Sequence, residues 1–159
     1  MGQGMRLRVC LAGAALAGAA TAATALEPLQ PFWPDPAEAV SLNAMQPHHW
    51  RAMALGAARC VALEQAGKAG LGLQTWFDNY PRTAPPPDFV FSAIVSGALQ
   101  ELEKTAPDDM PQIDFAGLAQ GYEQRFSASD MTAPAVLETD ALVRNDVEIC
   151  SAFMATGGD

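Results

Sequence analysis

Residues 47–66 read PHHWRAMALGAARCVALEQA, and this stretch decides the fold class. Pro47 lacks an amide hydrogen and suits the first turn of a helix, while Gly67 predicts the helix end. Apolar residues recur at helical spacing along one side from Trp50 to Cys60. The stretch therefore predicts a long helix with Cys60 on its inward side.

Three further segments show the same helical period. Pro and Asp at the start of residues 87–104 favour a first helical turn, and a capping box at residues 109–112 predicts the next helix. Thr132 is expected to cap the last helix, whose inward stripe is Val136, Asp140, Val143, Val147, Cys150 and Met154. With a short N-terminal helix over residues 35–45, the sequence predicts an all-α fold: a small helical bundle of about four main helices and a short one.

Residues 1–25 have the features of a signal peptide. Arg6 and Arg8 precede an apolar stretch, and Ala23-Thr24-Ala25 gives the small-x-small cleavage signal. The alternative is a membrane anchor, since residues 9–26 carry no charge, but nine of these 18 residues are alanine and gain little from a bilayer. We expect cleavage, a periplasmic or secreted protein, and no stable membrane anchor afterwards.

The mature chain, residues 26–159, is strongly acidic. It holds seven basic residues against 18 acidic ones, a net charge of −11. Nucleic-acid binding draws on clustered lysine and arginine, which this chain lacks, so that class of partner is excluded. The charge favours solubility and cationic partners.

Cleavage leaves two cysteines, Cys60 and Cys150, in an oxidising compartment. An even pair without Cys-x-x-Cys spacing predicts one structural disulfide rather than a redox site. The bond would staple a single helical domain over residues 36–159.

Residues 26–35 form a Pro-rich arm with a proline at every third position, which predicts extended, polyproline-like backbone. Phe32 and Trp33 are its candidate interaction residues. They either dock on a partner or lie on the protein's own domain.

His48 and His49 are the only histidines, and adjacent helical positions do not chelate one ion together. Met45, His49 and Met53 would suit Cu(I) on a continuous helix, but Pro47 interrupts that run. Covalent haem attachment needs Cys-x-x-Cys-His, which is absent from the sequence. No metal site and no cofactor is predicted.

Catalysis has little support, since the sequence contains neither G-x-S-x-G nor a phosphate-binding glycine loop. Asp140 interrupts the stripe of the last helix. It is expected either to pair with Arg144 at i+4 or to be a buried acid with a functional partner. We assign no catalytic residue.

The overall plan resembles that of small bacterial periplasmic proteins such as acid-stress chaperones and immunity proteins, and this resemblance is architectural only. The sequence predicts an exported, non-catalytic protein that acts by protein–protein interaction, as an inhibitor, immunity protein or chaperone. The alternative is a periplasmic copper or haem carrier.

Overall fold

The longest helix, α1, spans Pro47–Gly70 in a computed structural model that describes residues 26–33, 44–70, 87–127 and 133–156. Its start at Pro47 is the predicted one. The predicted end at Gly67 is wrong, because α1 continues through this buried glycine. Glycine in a helix costs about 1 kcal/mol relative to alanine, and packing on the neighbouring helices outweighs so small a preference.

Four more α-helices lie in the described part of the chain. They are α2, Pro87–Thr105; α3, Phe115–Ser127; α4, Ala133–Thr139; and α5, Ala141–Thr156. A short 3₁₀ helix, Pro107–Asp109, follows α2. Since no strand occurs among these described residues, the predicted all-α fold is confirmed.

Helix α3 begins later than the capping box predicts. The backbone N–H of Asp109 donates to the carbonyl of Ala106 at 3.0 Å, so Asp109 ends the 3₁₀ turn and is not the cap of α3. Asp114 takes that role, because its Oδ1 accepts from the N–H of Gly117 at 2.9 Å. A side-chain oxygen that accepts from the third following residue is the usual N-cap arrangement.

The predicted last helix is two helices with a break at Asp140. Its Oδ1 accepts from the N–H groups of Leu142 and Val143 at 3.0 and 3.1 Å, so the side chain caps α5. An aspartate that bonds to the nearby backbone competes with the helix, and this competition explains the break.

Helix α1 lies at the centre of the bundle and packs against α2, α3 and α5, while α4 packs on α5. From Gly56 to Gly67, most side chains of α1 are buried around the whole circumference of the helix. The most completely buried large side chains of the described core are Tyr122, Phe91, Leu102, Val136 and Val143.

The predicted disulfide between Cys60 and Cys150 is confirmed. It joins α1 to α5, with the two Cα atoms 5.8 Å apart and 90 positions apart in sequence. Both cysteines are buried, as their places on the inward stripes predict.

Some sequence predictions fall outside the described residues. They are the signal peptide at 1–25, the helix cap at Thr132, and most of the short helix over 35–45.

Candidate functional site

The N-terminal arm, residues 26–33, lies against the bundle and is buried with a period of three. Leu29 and Phe32 belong to the core and Leu26 packs on it, whereas the four residues between these three are exposed. A polyproline-type helix has three residues per turn, so the apolar-x-Pro repeat presents one row of apolar side chains. We call the surface of α1, α3 and α5 that contacts this arm the arm groove.

Glycines make room for the arm at two places in the arm groove. A Cβ atom added at Gly56 would lie 2.1 Å from Cγ of Phe32, and one added at Gly121 would lie 2.9 Å from Cδ1 of Leu26. At Gly56 the added atom would overlap the base of the Phe32 ring, so this position needs glycine for the arm to dock as it does, whereas at Gly121 a small shift of the flexible end of Leu26 makes room.

The two candidate interaction residues of the arm lie on the protein's own domain. Phe32 is 6% exposed and stacks on Phe153, with ring centroids 5.1 Å apart. Trp33 is half-buried, and its ring makes an edge-type contact with the ring of Phe153, with centroids 5.3 Å apart. Phe32 is therefore not available to a partner while the arm is docked.

Asp146 is the polar centre of the arm groove, and its side chain is fully buried. Its Oδ1 accepts from the backbone N–H of Leu29 at 2.7 Å and from Nδ2 of Asn145 at 3.0 Å. Its Oδ2 accepts from the hydroxyl of Tyr122 and from the Arg59 guanidinium, which also supplies the opposite charge. Both carboxylate oxygens are thus fully hydrogen-bonded.

The polar groups of the groove bind the main chain of the arm. Nδ2 of Asn145 donates to the carbonyl of Leu29 at 2.9 Å, so one arm residue has both of its backbone groups bound. Arg59 donates to the carbonyl of Glu27. These hydrogen bonds do not distinguish between arm side chains, so only the row of apolar side chains makes the groove specific for this sequence.

Tyr122 remains a proton donor at the centre of this cluster. Burial raises the pKa of Tyr122 far above its usual value, and the charge of Asp146 adds to the effect while Arg59 opposes it. Because the carboxylate receives four donors from the chain itself, the cluster offers no open position to a substrate. We call the cluster of Asp146, Asn145, Arg59 and Tyr122 the lock, because it holds the arm in the arm groove.

Asp140 pairs with Arg125 at 2.7 Å, and the expected pair with Arg144 is not formed by its side chain. Burial opposes ionisation of Asp140. The hydrogen bonds from Val143, Arg125 and Leu142 outweigh it, so the pKa of Asp140 lies below its usual value. Asp140 is a helix cap with a partly exposed ion pair.

The histidines lie at the start of α1. Nδ1 of His49 accepts from the N–H of Gln46 at 3.1 Å, and the ring centroids of His48 and His49 are 3.9 Å apart. Met45 precedes the first helical residue, so it does not share a continuous helix with Met53. Among the described residues, no group of three or more histidine, cysteine, aspartate or glutamate side chains could hold a metal ion.

The residues of the lock were not predicted from the sequence. Asp146 lies three positions after Val143 and four before Cys150, both on the predicted inward stripe, and this helical spacing was a usable signal of a buried acid. Arg59 and Tyr122 gave no such signal, because only the packing of α1 and α3 brings them to Asp146.

No family model, curated protein or solved structure matches this chain. None of the described helices combines the length and the apolar character needed to cross a membrane.

Proposed function

We propose that the mature chain is an exported, non-catalytic protein, periplasmic or secreted, that acts by binding a protein partner. The observation that carries the proposal is that Asp146 already receives four hydrogen-bond donors from the chain itself. This polar cluster holds the protein's own arm, so binding is assigned to the outer surface of the bundle.

The described surface offers apolar side chains for such contacts. Phe89, in the first turn of α2, is 65% exposed. Three others are exposed to a smaller extent: Leu55, Met110 and Phe115. Large apolar side chains at the surface favour protein contacts, and the net charge of −11 favours a cationic partner.

Capture of a partner from an extract of the native host tests the proposal. The mature chain is compared with Phe89→Ala, and Gln100→Ala on the exposed side of the same helix is the matched control. We expect Phe89→Ala to reduce capture at both low and high salt, whereas electrostatic attraction weakens only at high salt. Far-ultraviolet circular dichroism checks that both variants keep the helical fold.

The alternative, a copper or haem carrier, predicts a different result. Copper or haem near one per chain in protein from its native host, with no partner recovered, would replace the binding proposal with the carrier function. Metal analysis and the visible absorbance spectrum measure this directly.

A further inference from the structure

We propose that the arm groove also accepts the arm of a second copy of this chain, so that two mature chains form an arm-exchanged dimer. This inference goes beyond the proposed function and shares with it only the expected cleavage after residue 25. The described arm itself shows the ligand that the groove fits: an extended segment with an apolar residue at every third position.

The contacts of the arm do not depend on which chain supplies it. Asp146, Asn145 and Arg59 bind backbone groups of Glu27 and Leu29, and the apolar row fills the space above the groove glycines. Ten residues, 34–43, separate the described arm from residue 44 in the sequence, and a chain of ten residues spans at most about 33–36 Å. The same contacts can therefore form between two copies, as in other domain-swapped dimers.

The walls of the groove are held together without the arm. The disulfide joins α1 to α5, and Cys60 directly follows Arg59 in the sequence. Cys150 lies one helical turn after Asp146. The two helices that contribute the charged pair thus stay together when an arm leaves.

An empty groove is unfavourable. Departure of the arm removes the backbone donor from Asp146 and exposes the apolar surface that Leu29 and Phe32 cover. A buried carboxylate that loses a donor is destabilised, and so is newly exposed apolar surface. An arm that leaves is therefore replaced by another arm, and high protein concentration favours the arm of a second copy.

A complementation experiment on the mature chain tests the exchange. Gly56→Leu keeps an intact arm but blocks the groove, while the double variant Leu29→Ser/Phe32→Ser keeps an intact groove but loses two anchors of the arm. We expect each variant alone to be monomeric and their mixture to form a one-to-one heterodimer, measured by analytical ultracentrifugation. A mixture of two folded variants that stays monomeric would overturn the proposal.

A second measurement uses the unaltered chain, in case either variant fails to fold. Two batches with different isotope labels are mixed at high concentration, and isotope-filtered NMR records contacts between the Phe32 ring and Gly56. Contacts between differently labelled copies support exchange, and contacts within one copy only, at every concentration, contradict it. If a synthetic peptide of residues 26–33 binds the double variant but no heterodimer forms, the groove takes free peptides and the exchange proposal is wrong.

Discussion

Replacement of Asp146 by asparagine removes the negative charge of the lock while keeping the shape of the side chain. Asp146→Asn keeps the size of the side chain and one acceptor for the N–H of Leu29. The new amide group places a donor next to the donors of Arg59 and leaves the guanidinium without its counter-charge. We expect a lower free energy of unfolding and weaker docking of the arm.

The size of the effect follows from burial. Breaking a buried ion pair by removing one partner costs about 3–5 kcal/mol. The Arg59 side chain is 14% exposed and also donates to Tyr122 and to the carbonyl of Glu27, so the lower end, about 3 kcal/mol, is expected. Asp140→Asn is the matched control, because asparagine still caps α5. Its pair with Arg125 is partly exposed, at 20% and 36%, and pairs of this kind contribute about 1 kcal/mol or less.

Urea unfolding of the mature, oxidised chain, followed by circular dichroism, measures both variants on one scale. The expected loss for Asp146→Asn is several times that for Asp140→Asn. Equal losses would refute the assignment of Asp146 as the centre of a buried lock.

Four further outcomes test the architecture. Gly56→Ala should destabilise the protein by about 1–3 kcal/mol in urea, because its Cβ would meet the buried ring of the arm. In Gly97→Ala the added Cβ meets nothing within 4 Å, so the change should stabilise α2 by about 0.5–1 kcal/mol. If Gly56→Ala and Gly97→Ala changed stability in the same direction, the described packing at these two glycines would be wrong. Replacing Cys60 and Cys150 by serine removes a cross-link over 90 positions and should lower the free energy of unfolding by about 4–5 kcal/mol. Thermal or urea unfolding measures this loss, and an unchanged unfolding midpoint would argue against the bond. The pKa of Asp140 is lowered in the folded protein, so its carboxylate stabilises the fold above the unfolded pKa of about 3.9, and this stabilisation is lost as pH falls through the folded pKa. The stability difference between the parent chain and Asp140→Asn should therefore shrink in acid. A difference that grows in acid would contradict this prediction.

The fold class and the disulfide were predictable because both depend on local pattern. The start of α1 at Pro47 and the start of α2 at Pro87 follow from the missing amide hydrogen of proline. Helical phase also placed Cys60 and Cys150 on inward stripes, and the expected cleavage after residue 25 leaves these two cysteines as the only pair.

Helix ends were less predictable, because the competing signals are small. Gly67 does not stop α1, since packing around the central helix outweighs a preference of about 1 kcal/mol. The capping box predicted the cap of α3 at Asp109, whereas Asp114 caps it. The 3₁₀ turn, Pro107–Asp109, uses the first and leaves the second for α3.

Asp140 belongs to the predicted inward stripe and Asp146 lies beside it, next to Val147, and the structure gives the two acids different roles for a physical reason. Asp140 stands at the start of α5, where free backbone N–H groups are near, so its carboxyl is bound locally. Asp146 lies within α5, where the backbone N–H groups are already used, so its donors must come from elsewhere. Three of them are supplied by residues that lie 24, 87 and 117 positions away. Helical phase can therefore predict that an acid is buried, whereas the identity of its donors follows only from the packing of α1, α3 and the arm around it.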